Sequence, residues 1–464
     1  MRRLLSLIFW GCLALLGPIV RVTGESLPIP PILESVRMND GTRFFELTAD
    51  EGSREFSPGS STKTLGYNGD YLGPTIRVRR GEKVAVQVNN RLDDITSVHW
   101  HGADVPAESD GGPHQGIPPR DSWLASFVVR QPAATLWYHP HIVGTTGRQV
   151  YEGLAGLFII DDDESDSLDL PGEYGVDDIP VILQDRRFDA DGEFTYRPSM
   201  PDVMHGYFGN AILVNGVLDP SKEVPRGPVR LRLLNGSNST LLRLTLDGLP
   251  EMAQIASDGG FLERPVELSH IILSPGERAE VIVDFSQAGN SPVVLKAETN
   301  RGQLYDALEF RPVGNTATAW KAPDTLVAPE NIPESEADRT RRFVLQSGMG
   351  GRMTINGKTM NMRRVNERVP LGSTEIWEIE NRDGMMSQPH SFHVHAVQFR
   401  ILDINGRPPP EYDSGPKDTV LLWPGDKIRI IARFDSFPGL FMYHCHLLEH
   451  EDNGMMGQFL IEAP

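Results

Sequence analysis

The fold of this chain is decided by one short alternating stretch, residues 81–89, GEKVAVQVN. Valine stands at positions 84, 86 and 88, with small or polar residues between. Because successive side chains of a β-strand point to opposite faces, this alternation predicts a strand with one buried face. The glycine and the asparagine at its two ends are typical of turns.

The same unit occurs twice more, at residues 227–235, GPVRLRLLN, and at residues 372–381, GSTEIWEIEN. The three first glycines are 146 and 145 residues apart, which is the size of a domain. A second echo occurs at residues 274–277, SPGE, and at residues 423–426, WPGD. We therefore predict an all-β protein with three consecutive β-sandwich domains.

We expect the domains to cover residues 25–165, 176–315 and 340–464. An acidic stretch at 161–169 and a polar, proline-bearing stretch at 314–338 lie at the junctions and are interpreted as linkers. The 45 glycines and 36 prolines of the 464-residue chain fit a turn-rich β protein. A formal net charge of −19 would repel nucleic acid, so we expect no nucleic-acid partner.

Residues 1–24 have the pattern of a secretory signal peptide, with Arg2 and Arg3 before an apolar run and small residues at the end. We therefore expect an exported protein, in the periplasm. The arginine pair is compatible with the twin-arginine route and with ordinary secretion. No later stretch reaches 18 apolar residues, so we expect no transmembrane segment.

The chain has two cysteines, and Cys12 lies inside the signal. Lipid attachment at Cys12 is disfavoured because the apolar run continues past it. The exported chain then keeps only Cys445 and has no intrachain disulfide. That thiol is a core residue, a metal ligand or a nucleophile.

Histidine is arranged in four His-x-His motifs, where chance predicts about 0.4. Residues two apart on a strand share a face, so each motif offers two adjacent imidazoles. One motif alone would fit a solvated polar face, and a zinc site needs only three or four ligands. Eight imidazoles indicate several metal ions. The motifs are His99-Trp100-His101, His139-Pro140-His141, His393-Val394-His395 and His444-Cys445-His446.

Cys445 faces away from His444 and His446 on the same predicted strand, so this strand would hold two metal sites back to back. His390 precedes it in the chain, and His450 and Met455 follow. A thiolate, two histidines and a weak axial methionine form the ligand set of a blue-copper centre. The alternative is a buried core thiol with a methionine that fills the core.

These blocks resemble the copper-binding motifs of multicopper oxidases, which include the laccases, and the resemblance spans most of the chain after the signal. Residues 444–456, HCHLLEHEDNGMM, are especially similar to bacterial copper-efflux oxidases, as are residues 110–113, DGGP, and 146–149, TGRQ. The resemblance implies three cupredoxin-like Greek-key domains and four copper ions per chain.

The resemblance also implies the place of each ligand. The type 1 copper would be held by His390, Cys445, His450 and Met455. The type 2 copper would be held by His99 and His393. The type 3 pair would be held by His101, His139, His141, His395, His444 and His446. The middle domain would be a spacer without ligands, and surface or core roles are expected for His114, His205 and His270.

The implied activity couples four one-electron oxidations at the type 1 copper to the reduction of O₂ to water. Protons are needed, and a carboxylate beside the cluster can supply them as a general acid. Asp110 and Glu451 match the proton-relay acids of the family by position. The alternatives are a turn-forming aspartate and a solvated loop acid.

The reducing substrate is predicted to be Cu(I), a phenol or an aromatic amine. Thioethers suit Cu(I), and four methionines accompany Asp383 near His390: Met360, Met362, Met385 and Met386. Core packing is the alternative for these methionines. The methionine-rich insertion of similar cuprous oxidases is missing, since residues 314–342 contain no methionine. We therefore expect an uncovered type 1 copper that also admits phenols, with copper tolerance as the physiological role.

Two other classes of protein are alternatives. Exported SufI-type cell-division factors resemble these oxidases but lack copper ligands and act by binding partners. Copper nitrite reductases have two-domain chains without four His-x-His blocks. The full ligand set favours an oxidase, which we expect to be a monomer.

Overall fold

The computed structural model describes residues 25–289, 291–328, 330–348, 350–383 and 388–463. The predicted signal peptide, with Cys12, lies outside these residues, and so do Met385 and Met386. Strands dominate the described chain, and the all-β prediction is confirmed. Among the described residues, no helix has both the length and the apolarity needed to cross a membrane.

The first domain contains nine strands in two sheets. One sheet has the order β1-β2-β5-β7 with β3 paired to β2, and the other has the order β4-β9-β8-β6. The strands are β1 (Val36–Arg37), β2 (Arg43–Arg54), β3 (Thr62–Tyr67), β4 (Ile76–Arg79), β5 (Lys83–Asn90), β6 (His99–His101), β7 (Ser122–Val128), β8 (Ala134–His139) and β9 (Gly156–Asp161).

The middle domain contains twelve strands. Its sheets have the orders β12-β11-β10-β14-β19-β16-β17 and β13-β21-β20-β15-β18. The strands are β10 (Asp178–Arg186), β11 (Ala211–Val214), β12 (Val217–Leu218), β13 (Ser221–Pro225), β14 (Pro228–Asn235), β15 (Leu242–Asp247), β16 (Met252–Ser257), β17 (Gly260–Leu268), β18 (Ile271–Leu273), β19 (Arg278–Asp284), β20 (Val293–Thr299) and β21 (Leu304–Val313).

The described residues of the third domain contain ten strands. Its sheets have the orders β23-β22-β25-β29-β27 and β24-β31-β30-β26-β28. The strands are β22 (Arg339–Gly348), β23 (Arg352–Ile355), β24 (Glu367–Pro370), β25 (Ser373–Asn381), β26 (His390–Val394), β27 (Phe399–Ile404), β28 (Thr419–Leu422), β29 (Lys427–Phe434), β30 (Gly439–Cys445) and β31 (Met456–Glu462).

Helices are short and lie in the connections. The α-helices are α1 (Thr146–Glu152), α2 (Asp163–Asp166), α3 (Met200–His205) and α4 (Leu448–Asp452). The 3₁₀ helices are Ala107–Ser109, Pro113–Gln115, Phe285–Gln287, Glu334–Glu336 and Glu411–Asp413.

The three repeated units form the same strand in each domain. These strands, β5, β14 and β25, each pair in parallel with one neighbour, β2, β10 or β22, and antiparallel with the other, β7, β19 or β29. In β5 the three valines are fully buried and Lys83 is exposed, because the strand has one face in the core. The alternating pattern therefore marks the central strand of each sandwich.

Each of these strands ends at an asparagine whose side chain forms hydrogen bonds with two loops. Asn235 donates to the carbonyls of Thr240 and Leu273, and its side-chain oxygen accepts from Ser237 N. Asn381 and Asn90 make the corresponding contacts in the other two domains. The repeat was expected to end at Asn89, but the equivalent residue of the first domain is Asn90, because only its side chain points into the core.

Each domain has its own apolar core between its two sheets, and further apolar clusters join the domains. Trp137 and Leu157 of the first domain pack with Ile182 and Leu213 of the middle one. This packing holds the first domain against the middle one, and Met204 of the middle domain packs into the core of the third. The histidine motifs lie where the first and third domains meet.

Candidate metal centre

Strand pairing brings the histidine motifs together two by two. In the first domain β6 and β8 are antiparallel, and His99 lies opposite His139. In the third domain β26 and β30 are antiparallel, and His393 lies opposite His444. Each domain therefore presents four imidazoles from the ends of two neighbouring strands.

The eight imidazoles form one cluster between the first and third domains, and none is more than 1% exposed. Within the cluster, the ligand atoms of several groups of three lie within 4.8 Å of one another. The groups are His101, His139 and His446; His141, His395 and His444; and His99, His393 and His395. Every predicted member of the type 2 and type 3 sites thus lies in the cluster.

The ring orientations suit metal ligation. Five rings are held through Nδ1 by an oxygen acceptor, which leaves Nε2 free to face the cluster. The acceptors are Asp110 O for His99, Pro140 O for His139, Asp418 O for His393, Asp110 Oδ2 for His395 and Cys445 O for His444. His101 is reversed, since its Nε2 is held by Asp418 Oδ1 at 3.0 Å and its Nδ1 lies 3.3 Å from His139 Nε2.

Several ring nitrogens in the cluster are buried without a hydrogen-bond partner among the described residues. They include Nε2 of His99, Nε2 of His393 and both nitrogens of His446. A buried polar atom without a partner costs about 1–3 kcal/mol. Coordination of metal ions would satisfy one nitrogen of each of these rings, and the residues present therefore fit a copper cluster.

Burial also lowers the pKa values of these rings. It lowers the pKa of His139 to about 3 and holds the pKa values of His99, His101, His141 and His446 well below the usual value, helped by repulsion between the rings. These five imidazoles are consequently neutral at pH 7, which is the form that binds metal.

The two predicted acids, Asp110 and Glu451, are buried and border the cluster. Asp110 Oδ2 lies 2.8 Å from His395 Nδ1, and burial raises the pKa of Asp110 to about 8. Glu451 is fully buried, with Oε1 3.2 Å from His141 Nδ1 and Oε2 3.1 Å from His444 Nδ1. Each acid therefore touches rings from the predicted type 3 set.

A second group of ligands lies on the other side of β30. Cys445 Sγ is 3.5 Å from His390 Nδ1 and 3.7 Å from His450 Nδ1, and the two nitrogens are 3.2 Å apart. Met455 is fully buried in the same apolar cluster as Cys445, and its carbonyl accepts from Cys445 N. The sequence reasoning that placed two sites back to back on one strand agrees with this geometry.

Asp383 lies behind this second group. Its Oδ2 is 3.0 Å from His390 Nε2, and Ser347 donates to it through both its backbone N and its hydroxyl. Although burial alone would lower the pKa of His390, the charges of Cys445 and Asp383 raise it to about 9. The carboxylate therefore orients the His390 ring, and only 5% of Asp383 is exposed.

The expectation of an uncovered type 1 copper is not met. His390 and His450 are fully buried, and helix α3 of the middle domain packs against α4, which carries His450. Met204 of α3 packs in the same apolar cluster as Met455. A short helix from a different domain therefore covers this group, which the sequence did not reveal.

The predicted substrate methionines that the structure describes differ in position. Met360 N donates to Gly454 O, next to Met455, and Met362 is 37% exposed. Met385 and Met386 lie outside the described residues.

The remaining three histidines belong to neither group of ligands, although His205 lies on α3, which packs against the helix that carries His450. His114 Nε2 contacts Gln458, His205 contacts Gln388, and His270 contacts Ser269.

Sequence reasoning missed one ion pair beside the cluster. Arg278 of the middle domain binds Asp418, the carboxylate that holds His101. The two residues are 140 positions apart, and no motif connects them in the sequence.

Comparison with known proteins agrees with this geometry. The multicopper oxidase family model matches residues 48–165, 209–307 and 334–464. The multicopper oxidase mco of Staphylococcus aureus is 38% identical over 438 residues, which cover 94% of this chain and 92% of that protein. The cell division protein FtsP of Escherichia coli is 36% identical over 456 residues, which cover 94% of this chain and 93% of that protein.

Solved structures are similar over the whole fold. The laccase-like multicopper oxidase CueO from the lignin-degrading bacterium Ochrobactrum sp. is 38% identical with a TM-score of 0.87, over 94% of this chain and 100% of that one. It is described as having oxidase activity towards lignin model compounds and lignosulfonate. The predicted three cupredoxin-like domains and the predicted oxidase class are confirmed. The chain belongs to the multicopper oxidase family.

Proposed function

We propose that the chain binds four copper ions and couples four one-electron oxidations of a reductant to the reduction of one O₂, with four protons, to two waters. His390, Cys445 and His450, here called the Cys445 group, would hold the type 1 copper together with Met455. His99 and His393 would hold the type 2 copper, and the other six imidazoles of the cluster would hold the type 3 pair. Copper supplies the redox chemistry of both centres.

The single observation that carries this proposal is the double use of strand β30. Cys445 faces His390 and His450, and its two neighbours face the histidine cluster. The Cys445 carbonyl also accepts a hydrogen bond of 3.1 Å from His444 Nδ1. One residue thus connects the place where electrons arrive with the place where O₂ is reduced.

Proton supply is assigned to the two buried acids. Because Asp110 has a raised pKa, it holds a proton near pH 7 beside His395 and can donate it as a general acid. Glu451 lies between His141 and His444 and can pass protons on the opposite side.

Cu(I) and phenols or aromatic amines are the proposed reductants, with copper tolerance as the role in the cell. Exposed Met362 and the neighbouring Met360, together with Met385 and Met386, offer thioethers, which are soft ligands for Cu(I). Asp383 would connect this surface to His390. The Ochrobactrum enzyme, described as acting on lignin model compounds, supports the organic substrates.

A second candidate function is a binding role in cell division, which the relationship to FtsP favours. Such a role would not need copper, whereas this chain has a full set of buried ligands. Restoration of normal division in cells lacking the gene by a copper-free Cys445→Ser variant would favour this candidate.

We also propose export after cleavage near residue 24, domains at residues 25–165, 176–315 and 340–464, and a monomeric state. N-terminal sequencing of the exported protein and its mass in solution test the first and the last of these.

The central experiment combines copper counting with O₂ uptake on protein loaded with copper. We expect about four coppers per chain, a blue absorbance, and one O₂ consumed for every four Cu(I) oxidised. Protein that stays colourless and consumes no O₂ with either Cu(I) or a phenol would refute the oxidase proposal.

Variants separate the two substrate classes. Met360→Ala and Met386→Ala should raise KM for Cu(I) and leave phenol oxidation unchanged, whereas Asp383→Ala should slow both because it orients His390. Met38→Ala, an exposed methionine of the first domain, is the control. Cu(I) kinetics equal in all the methionine variants would argue against a cuprous substrate site.

A further inference from the structure

We propose that Arg278 of the middle domain is a positioning residue for O₂ reduction, acting through Asp418 to fix the orientation of His101. This inference rests on the proposed copper cluster. It gives the middle domain, which contributes no member of the histidine groups, a direct part in building the site.

The contact between Arg278 and Asp418 is bidentate. Arg278 Nη1 lies 2.7 Å from Asp418 Oδ1, and Arg278 Nη2 lies 2.6 Å from Asp418 Oδ2. Both side chains are completely buried. Two parallel charge-assisted hydrogen bonds of this kind fix the plane of the carboxylate as well as its position.

Asp418 in turn holds two rings of the cluster. Its Oδ1 accepts from His101 Nε2 at 3.0 Å and from the Thr419 hydroxyl at 2.8 Å. Its backbone oxygen accepts from His393 Nδ1 at 2.8 Å. One residue therefore sets the orientation of a predicted type 3 ligand and of a predicted type 2 ligand.

His101 depends most on this contact because its ring is reversed. Its Nε2 points to Asp418, so only Nδ1 is available to the cluster. A neutral imidazole has one donor and one acceptor nitrogen, and the bond to the carboxylate fixes Nε2 as the donor. Nδ1 then keeps the lone pair that a metal requires.

Arg278 is itself held by hydrogen bonds to the first and middle domains. Its Nε donates to Thr135 O of the first domain, and its Nη2 donates to Asp258 O of the middle domain. Asp418 belongs to the third domain, so this guanidinium joins three domains at one point. Gln398 adds a further hydrogen bond to Asp418 Oδ2.

A second ion pair lies beside the first, with the acid now on the middle domain and the base on the third. Glu277 precedes Arg278, Lys417 precedes Asp418, and Lys417 Nζ lies 3.0 Å from Glu277 Oε1. Two consecutive residues of the middle domain thus bind two consecutive residues of the third domain. The double pair sets the register in which Asp418 meets the histidines.

The test uses Arg278→Lys, which keeps the charge but removes the planar fork. We expect copper in the histidine cluster to bind 10–100-fold more weakly, as is usual when the partner of a ligating histidine is disturbed. The blue absorbance of the Cys445 centre should remain. The readouts are coppers retained after dialysis against a chelator, the near-ultraviolet absorption of the coupled copper pair, and the paramagnetic resonance signal of the type 2 copper.

Arg232→Lys is the matched control. Arg232 is a buried arginine of the same domain in a bidentate pair with Asp178, with contacts of 2.6 and 3.0 Å, and it contacts no histidine in the described structure. Its replacement should lower the melting temperature without weakening the cluster. Equal copper retention and equal spectra in the two variants would overturn the proposal.

Asp418→Asn provides a second variant if Arg278→Lys does not fold. It leaves Arg278 with Asp258 as a charged neighbour, and we expect the same selective weakening of the cluster. Full retention of cluster copper in Asp418→Asn would also overturn the proposal. Wild-type protein that takes up only the blue copper would instead overturn the proposed function, so the two failures can be told apart.

Discussion

At the scale of single residues, the two acids beside the cluster differ in what surrounds them. Asp110 is 2% exposed and has one oxygen without a hydrogen-bond partner among the described residues. Burial disfavours its charged form and raises its pKa to about 8. It therefore carries a proton near pH 7 beside the cluster.

We predict that Asp110→Asn slows reoxidation of the reduced enzyme by O₂ about 100-fold, because the amide cannot supply an acid proton. Reduction of the type 1 copper should be unchanged. In the wild type, reoxidation should slow as pH rises through the pKa of Asp110, at about 8 or somewhat lower once copper cations are bound, and the variant should lack this dependence. Stopped-flow mixing of reduced enzyme with O₂ measures both.

Asp104→Asn is the control for this prediction. Burial raises the pKa of Asp104 to about 6, and its side chain contacts Ser436 rather than a histidine. Unchanged reoxidation in Asp110→Asn, or equal slowing in both variants, would remove the role of Asp110.

At the scale of elements, two equivalent turns of the middle and third domains have different surroundings. The SPGE turn precedes β19 and the WPGD turn precedes β29, and both glycines have positive φ angles, +87° at Gly276 and +88° at Gly425. A Cβ added at Gly276 would lie 3.0 Å from Cγ of the His446 ring, whereas nothing lies within 4 Å at Gly425. The middle domain thus contacts the cluster closely through this turn.

We predict that Gly276→Ala weakens copper binding by the His101, His139 and His446 group, since the added methyl must displace the His446 ring. The substitution also costs about 1 kcal/mol through the positive φ angle. Copper content after dialysis and the melting temperature measure the two effects separately.

Gly425→Ala separates backbone strain from ring displacement. It should lower the melting temperature by a similar amount and retain all copper. Equal copper retention in the two variants would show that the ring accommodates the methyl group.

At the scale of the whole molecule, the two centres differ in their protonation before copper binds. Burial lowers the pKa of His139 to about 3 and keeps most of the cluster neutral. The pKa of His390 is raised to about 9, so the Cys445 group holds a proton at pH 7. Copper must displace that proton in the second centre but not in the first.

We predict that copper affinity at the Cys445 centre falls about tenfold for each pH unit below the pKa of His390, about 9, because one proton competes for each copper. Affinity at the histidine cluster should change little between about pH 8 and pH 5, since protons begin to compete only as pH approaches the lowered pKa values. Copper titrations of copper-free protein, followed by blue absorbance and by total copper, test this. Parallel pH profiles for the two centres would contradict it.

The three sandwiches, the four histidine pairs and the placement of Cys445 opposite its neighbours could be predicted from the sequence. These features follow from the two-residue period of a strand, which is a local property and can be read from consecutive residues. The family resemblance added the assignment of each ligand, and every described ligand lies in one of the two groups.

The part that the middle domain plays could not be predicted, because it depends on contacts between domains. Helix α3 covers the Cys445 group, Gly276 touches His446, and Arg278 holds Asp418 against the reversed ring of His101. Each of these contacts joins residues that are far apart in the chain and belong to different domains. Their positions depend on how whole sandwiches pack, and no local alternation of polar and apolar residues records that packing.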